Sequence, residues 1–318
     1  MSIYIVRRLV QSLVVIILVT ILVFVVIRLL PGDPILVYLS QEELEVLTNE
    51  QIEAARDDFG LNKSIPEQYV DWFKNLLHGD LGTSLFYREN VVKLLSERIP
   101  VTLYLGIIAF AFSHLLGIIA GLISALRRGG WVDTFVTVLA NLGITVPIFW
   151  LGILLIYFLG LKARLLPLFG YTSPFVDFGL STRQLILPII CLSIFPIASS
   201  TRQTRSSILE VMQQDYIRTA WAKGLRERVI VFKHILKNGL IPVVTLSGIG
   251  LSHILGGSVL VETVFYIPGM GRLGVEAVLS QDYAIVQAII LITAVMVVIA
   301  NLIVDVSYGW LDPRIRYD

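Results

Sequence analysis

Six stretches of the sequence are long and apolar enough to cross a membrane. In chain order they are Leu9–Ile27, Val101–Leu126, Phe135–Leu159, Leu185–Ser207, Leu240–Val261 and Ala284–Val306. About 20 apolar residues in a helix span the hydrocarbon core of a bilayer, where the helix satisfies its own backbone hydrogen bonds. The pattern therefore predicts an all-α polytopic membrane protein with six transmembrane helices.

Composition agrees with a membrane protein. The 318 residues are 56% hydrophobic and only 15% charged, with a mean hydropathy of +0.80, whereas soluble domains carry about 25% charged residues. The formal net charge of +1 gives no overall field to attract nucleic acid. The single cysteine, Cys191, excludes an intrachain disulfide, and the four histidines are too scattered to suggest a metal site.

The charges of the short loops set the orientation. With the N-terminus inside, the inner loops collect most of the basic residues: Arg7, Arg8, Arg127, Arg128 and the stretch from Arg202 to Lys237. Such a bias predicts cytoplasmic N- and C-termini. The first window is read as a retained helix, because Pro31-Gly32-Asp33-Pro34 stands where a signal peptide would have its cleavage site.

This orientation divides the chain into three parts. Residues 1–30 form the first transmembrane helix, 31–98 an extracytoplasmic insert, and 99–318 a five-helix core that includes a cytoplasmic loop at 209–238. Two capping boxes, at residues 40–43 and 48–51, predict helices in the insert, and Gly60 is placed to end the second of them. The insert is therefore expected to be small and mainly helical.

Small residues and prolines shape the predicted spans. Stripes at four-residue spacing favour close helix packing or leave room for a solute path, and they comprise Ala109, Ser113, Gly117, Gly121 and Ala125 on the second span, and Gly248, Ser252 and Gly256 on the fifth. Pro147, Pro188 and Pro196 predict kinks.

Ionisable residues inside spans are costly and suggest function. His114, His253 and Glu262 are candidates for a translocation path or gate, although each histidine could instead make a packing hydrogen bond. Ser113 and Ser252 precede the two histidines, but adjacent helix residues point about 100° apart and no acid partner is evident, which argues against a serine hydrolase.

The loop at 209–238 carries the most informative pattern. Asp215 is placed to cap a short helix that Gly224 ends, and the helix is expected to expose Tyr216, Ile217, Ala220 and Trp221. Such an amphipathic helix could lie in the membrane interface or dock into a groove of a cytosolic protein.

The run Asp215-Tyr216-Ile217-Arg218-Thr219-Ala220-Trp221-Ala222-Lys223-Gly224-Leu225 resembles the EAA loop of bacterial binding-protein-dependent ABC importer permeases, in the version of their dipeptide, oligopeptide and nickel branch. The glutamate of the family's general EAA motif is replaced here by Arg218 and its first alanine by Thr219, while Ala220 and Gly224 match the motif. In that family the loop couples the permease to its ATPase. The resemblance assigns this role to Asp215, Tyr216, Arg218, Thr219, Ala220, Lys223 and Gly224.

Further landmarks of the subunit with a large outer insert occur in the same order along the chain: Leu29–Pro34, Thr48–Ile52, Gly79–Ser84, Pro147–Gly152 and Glu262–Gly271. The resemblance implies a type I importer permease core (MetI-like). It also adds Pro268 and Gly269 to the candidate path or gate residues.

The resemblance implies a cytoplasmic-membrane permease of a bacterium or archaeon, working with a second homologous permease, two cytosolic ABC ATPases and an extracytoplasmic substrate-binding protein. The sequence has no Gly-x-x-x-x-Gly-Lys-Ser/Thr loop, so ATP and Mg belong to the partner subunits; no cofactor or enzymatic activity is expected of this chain. Peptides are the favoured substrate, with nickel chelates, glutathione or opines as alternatives. A membrane receptor or scaffold is the competing class, and it leaves the kinked, small-residue bundle unexplained.

Overall fold

The computed structural model describes residues 2–29, 49–58, 60–84 and 86–311. Its α-helices, in chain order, are α1 Ser2–Leu29, α2 Asn49–Asp58, α3 Ile65–Leu77, α4 Val91–Leu126, α5 Trp131–Thr145, α6 Ile148–Leu155, α7 Phe178–Met212, α8 Asp215–Ala222, α9 Ile241–Val264, α10 Met270–Leu279 and α11 Tyr283–Leu311. A π-helix, Ile156–Lys162, continues α6, and a second one, Ile230–Leu236, lies between the short helical turns Glu227–Val229 and Lys237–Gly239.

Within the described ranges, four helices are long and apolar enough to cross a membrane, namely α1, α4, α7 and α11. A fifth span results if α5 and the α6 segment are counted together. Helix α9 coincides with the predicted window Leu240–Val261, but part of its side chains lie outside the described residues.

The predicted third span differs most from expectation. Pro147 was expected to kink one helix, but the chain bends by 105° there and forms two helices, α5 and α6. Val146 is extended (φ −73°, ψ 123°), because the ring of a following proline disfavours the helical conformation. Pro188 and Pro196, in contrast, lie inside the continuous helix α7.

Contacts divide the chain into two compact units. One consists mainly of Thr102–Ile267, and the other of Val6–Val101 together with Pro268–Met296.

Helix α7 is central to the first unit, where it packs against α5, α6 and α9. Its approach to α4 depends on glycine: a Cβ on Gly117 would lie 2.5 Å from the Cβ of Ser200, and one on Gly121 would lie 2.6 Å from the carbonyl oxygen of Thr201. This confirms tight packing at these two positions of the second-span stripe. Gly256 of the other stripe has open space around it, and the surroundings of Gly248 and Ser252 are not among the described features.

In the second unit, part of the insert packs against the segment that begins with α10. The apolar core comprises Val91, Leu94, Leu95, Met270, Leu273, Ala277, Ile285, Ala288 and Ile289. Buried Asp282 joins the two segments by accepting hydrogen bonds from the Ser84 hydroxyl (2.5 Å) and the Phe86 N–H (3.2 Å).

The described part of the insert contains helices α2 and α3 and the start of α4, with turns and an isolated β-bridge between Thr83 and Asn90. Gly60 adopts φ +64° just after α2, which confirms its predicted role as a helix terminator. The capping box at 40–43 lies outside the described residues. The structure adds a capping box that sequence inspection missed, in which the backbone N–H and hydroxyl of Ser64 both donate to the carboxylate of Glu67 at the start of α3.

Candidate coupling surface and path residues

Helix α8 begins at Asp215, within the predicted coupling loop. Its N-cap is Gln214, so the prediction that Asp215 caps the helix is wrong by one position. The Asp215 side chain is 95% exposed, 3.5 Å from the guanidinium of Arg218. A negative charge in the first turn still favours the helix through its dipole.

Gly224 ends α8 as predicted. It adopts φ +70°, a conformation that residues with a Cβ rarely take. Its N–H donates to the carbonyl of Trp221 (2.9 Å), and the N–H of Leu225 donates to the carbonyl of Ala220 (3.4 Å). These bonds satisfy carbonyls that the end of a helix leaves free.

One face of α8 is buried, and here the sequence prediction was wrong. Ile217 and Ala220 were expected to be exposed but are only 1% and 6% exposed. They belong to an apolar cluster with Ala125, Ile208, Ile230, Val231 and Ile235. Ala220 is therefore a packing position beneath the helix and offers little surface to a partner.

The opposite face of α8 is open. We call its exposed polar and aromatic residues, together with the C-cap Lys223, the α8 surface: Asp215, Tyr216, Arg218, Thr219, Trp221 and Lys223. Two aromatic rings, each about half exposed, thus stand among charged groups. Tyrosine, tryptophan and arginine are the residues that most often dominate the energy of protein interfaces.

The helical run at 227–239, which follows α8, packs against its buried face. Ile230, Val231 and Ile235 of the second π-helix contribute to the cluster under α8. The amide of Asn238 donates to the Tyr216 hydroxyl (3.2 Å). The run ends immediately before α9. Helix α8 is therefore linked to α9 by side chains that pack against this run as well as by the polypeptide itself.

Sequence inspection missed a partly buried ion pair near the same cluster. Asp133, in the first turn of α5, accepts two hydrogen bonds from Arg205 of α7, at 2.6 and 2.8 Å. It also accepts from the Ser124 hydroxyl of α4 (2.5 Å) and from the Gly129 N–H (2.9 Å). The ion pair thus fastens three helices together. Its only sequence signal was one acid and one arginine near the predicted inner ends of two spans, 72 residues apart.

The ion pair and the cluster share the same helices. Ala125 follows Ser124 on α4, and Ile208 lies about one turn beyond Arg205 on α7. Both are buried members of the cluster to which Ile217 and Ala220 of α8 belong. Helix α8 therefore shares its apolar cluster with two of the helices that the ion pair joins, α4 and α7.

The candidate path residues show two different environments. The ring of His114 lies tilted against that of Phe110, with the ring centres 4.2 Å apart, and its Nδ1 lies 3.0 Å from the Phe110 carbonyl oxygen. Gly250 of α9 is close enough that an added Cβ would meet the His114 ring at 3.2 Å. His114 thus packs between α4 and α9. Glu262 is fully buried and accepts a hydrogen bond from Thr102 (2.7 Å).

The remaining path candidates are less defined. The side chain of His253 lies outside the described residues. Gly269 is the N-cap of α10, and Pro268 directly precedes it. The described contacts of His114 do not include Glu262, so the structure does not bring these two candidates together. Their role in a path or gate stays a prediction.

Solved structures identify the class of fold. The chain is similar to a subunit of the methionine ABC transporter MetNI in an inward-facing conformation, with a TM-score of 0.57 and 18% identity over 70% of this chain and 97% of the other. At this identity the likeness shows the fold alone.

The family follows from the sequence matches. Residues 117–317 match the binding-protein-dependent transport system inner membrane component, and residues 1–106 match its N-terminal region. The chain belongs to this family and is a multi-pass protein of the cytoplasmic membrane.

Relatives of known type are similar over their full length or nearly so. The probable peptide ABC transporter permease protein y4tP of Sinorhizobium fredii is 40% identical over 100% of both chains. The oligopeptide transport system permease protein AppB of Bacillus subtilis is 37% identical over 100% of both. The di/tripeptide transport system permease protein DppB of Pseudomonas aeruginosa is 38% identical over 94% of both.

Proposed function

We propose that this chain is a permease subunit of an ABC importer and forms half of the translocation path for di- or oligopeptides. Peptide transport appears in the names of relatives that match across the whole chain. The structural observation that carries the proposal is α8, a short helix with a buried apolar side and an exposed aromatic and basic side. The proposed topology has six transmembrane spans, with the N- and C-termini in the cytoplasm and the insert outside the cell membrane.

The proposed complex contains a second, homologous permease and two cytosolic ATPases, which hold ATP and Mg. An extracytoplasmic binding protein delivers solute to the 31–98 insert and to residues 262–283. We place ATP hydrolysis on the partner subunits and treat this chain as non-catalytic, because its sequence has no phosphate-binding loop.

Coupling begins at the α8 surface, which docks into a cleft of an ATPase subunit. When the ATPases close, the force on α8 passes through Ile217 and Ala220 to the apolar cluster beneath them. From there it reaches α9 through the helical run at 227–239, and α7 through Ile208. The helices then rock as rigid bodies between inward- and outward-facing states.

Gly224 offers the sharpest test of coupling. A Cβ at this position would meet nothing within 4 Å, so Gly224→Val acts through its φ of +70° and not through a clash. We expect the strained backbone to displace the end of α8, so that the reconstituted complex still hydrolyses ATP but imports less peptide per ATP.

Gly79→Val is the matched control, because Gly79 has φ +80° and equally open surroundings but lies in the insert. It should leave the ratio of peptide uptake to ATP hydrolysis unchanged. An unchanged ratio in Gly224→Val, with normal assembly of the complex, would contradict the coupling role of α8.

Substrate identity needs a separate experiment. The full complex, reconstituted with its binding protein, should show ATP hydrolysis stimulated by di-, tri- or longer peptides. Stimulation by nickel chelates, glutathione or opines alone would replace peptides with that substrate. Purification without any ATPase or second permease would favour a receptor or scaffold.

A further inference from the structure

The contact between α5 and α7 has a polar side and an apolar side. One cavity beside it, of about 450 Å³, is lined by polar residues that include Thr137, Ser199, Arg202, Gln203 and Ser206. Another, of about 360 Å³, is lined by apolar residues such as Val136, Leu139, Leu142, Ile194 and Ile197. Residues two positions apart on a helix point about 160° apart, so Thr137 and Leu139 face the two cavities from opposite sides of α5.

The polar side continues along both helices in exposed or half-exposed residues. We call them the polar face, which consists of Thr137 and Asn141 on α5 and of Ser199, Arg202, Gln203 and Ser206 on α7. Their spacing of three or four positions places each set on one face of its helix. None of the six has a hydrogen-bond or ion-pair partner among the described residues. Their amide, hydroxyl and guanidinium groups are therefore available to water or to a ligand.

The polar face lies inside two predicted transmembrane spans, Phe135–Leu159 and Leu185–Ser207. An exposed amide or guanidinium is costly in hydrocarbon, where nothing replaces its hydrogen bonds with water. The long side chain of an arginine near the end of a span can reach the interface. The shorter Asn141 and Ser199 cannot, because they lie about 9 and 12 Å along the helix from the nearer span ends. The polar face must therefore contact water or protein.

The apolar side has the properties of a lipid contact. Three residues of α5 on that side are each at least half exposed, namely Phe135, Leu139 and Leu142. Acyl chains are as apolar as these side chains and can cover them without cost. With lipid on this side of α5, the opposite side is turned away from lipid. The α5–α7 pair therefore separates the acyl chains from a polar space.

The cavity on the polar side favours negative charge. Its lining contains two arginines and no acidic residue among the described residues. Arg205 is neutralised by Asp133, whereas Arg202 has no described counter-charge. Glu210, the next acidic residue along α7, lies about 12 Å beyond Arg202 along the helix. Arg202 therefore presents a guanidinium without a counter-charge, and the planar fork of this group matches a carboxylate.

We propose that the polar face lines the water-filled path through the membrane and that Arg202 binds the carboxylate of the solute within it. Both parts rest on the proposed function, since every peptide with a free C-terminus carries such a carboxylate. The hydroxyls of Ser199 and Ser206 and the amide of Gln203 supply further donors. The cavity, about 450 Å³, has the volume of a small-molecule site. None of the path residues predicted from sequence belongs to this face.

Water access is tested in the intact complex in nanodiscs, with the variants Ser199→Cys and Ser206→Cys on the polar face and Leu139→Cys and Leu142→Cys on the apolar side. Native Cys191 is buried, and the unaltered complex gives the background. A water-soluble methanethiosulfonate reacts with thiolates, which form where water reaches the thiol. We expect the polar-face cysteines to react about ten-fold faster than the others. Equal rates, or an unreactive polar-face cysteine that crosslinks to the second permease, would overturn the path assignment.

The carboxylate is tested by protection of Ser206→Cys. The complex is used without its binding protein, so that the selectivity of that protein plays no part. A dipeptide should slow the labelling more than the same dipeptide with a C-terminal amide. Adding Arg202→Gln should remove this difference. It should also lower the ratio of labelling rates for anionic over cationic reagents about five-fold, as expected for unit charges about 8 Å apart in water.

Two further variants are the controls. Arg202→Lys keeps the charge and should keep the direction of both effects, and Arg228→Gln removes an exposed cation that does not line the cavity and should change neither. Equal protection by the dipeptide and its amide refutes the role of Arg202 without any arginine variant. Peptide-stimulated ATP hydrolysis is measured with the binding protein in the same nanodiscs. Stimulation with an unreactive polar face disproves only this site, whereas no stimulation in the unaltered complex counts against the proposed function.

Discussion

Replacing Arg205 with glutamine tests whether the ion pair with Asp133 stabilises the packing of α4, α5 and α7. The change leaves the carboxylate of Asp133, whose side chain is 7% exposed, with the hydrogen bonds from Ser124 and Gly129 but without a counter-charge. The Asp133 side chain should remain in place, because α5 and α7 pack against each other. The cost therefore reflects mainly an uncompensated buried charge.

The magnitude follows from burial. Removing one partner of a fully buried pair costs about 3–5 kcal/mol. The Arg205 side chain is 30% exposed, so solvent screens part of the interaction. We expect a loss of about 2 kcal/mol in the free energy of unfolding. Adding Asp133→Asn removes the orphaned charge and should recover more than half of that loss.

The assay is reversible unfolding of the purified chain in mixed micelles as the denaturing detergent is increased. Glu89→Gln is the control, since its ion pair with Lys93 is exposed on both sides and should contribute less than about 1 kcal/mol. If Arg205→Gln costs no more than Glu89→Gln, or if the double variant is less stable than Arg205→Gln alone, the reasoning about the buried charge is wrong.

Three further predictions use other features of the structure. Gly121→Ala should cost about 1–3 kcal/mol in the same unfolding assay, because its Cβ would overlap α7, while Gly256→Ala should change little; equal effects would contradict the packing argument. Asp282→Ala should speed hydrogen exchange at the Phe86 amide, since this N–H and the buried Ser84 hydroxyl both lose their acceptor; unchanged exchange would refute that contact. Burial, together with a hydrogen bond to a carboxylate, raises the pKa of Tyr87 to about 12, so its stabilising contribution is present below pH 10 and is lost as the pH rises to about 12. Tyr87→Phe should remove this part of the alkaline transition, and ionisation of Tyr87 near pH 10 in absorbance titrations would show that it is not buried as described.

The apolar windows predicted the long helices well, because in lipid the same residues that form a span must also be apolar. The bend at Pro147 was harder to judge from sequence. Proline lacks a backbone N–H and disfavours the helical conformation at the residue before it. Whether the helix only kinks or ends there depends on whether neighbouring helices satisfy the backbone groups that lose their partners. Those neighbours, α7 and α9, come from later in the chain.

Helix α8 shows the same limit of local sequence patterns at the level of single residues. Gly224 marked its end correctly, since a left-handed terminus is a local requirement. Which face is buried was decided by Ile208, Ile230 and Ile235, residues from two other segments. The pattern of α8 alone could not show whether its apolar face packs inside this chain or binds a partner protein. The Asp133–Arg205 pair was missed for the same reason, since nothing local relates the two residues.

The Ser84–Asp282 hydrogen bond has a consequence for biogenesis. Its two residues are separated by 198 positions, so the insert turn cannot complete its contacts until the ribosome has made nearly the whole protein and the membrane machinery has delivered residues 280–290. During that interval, the side chains that will pack around Val91 and Leu95 lack their partners from α10 and α11. Chains truncated before α10 should therefore be recognised by quality-control proteases even when their earlier helices are correctly inserted.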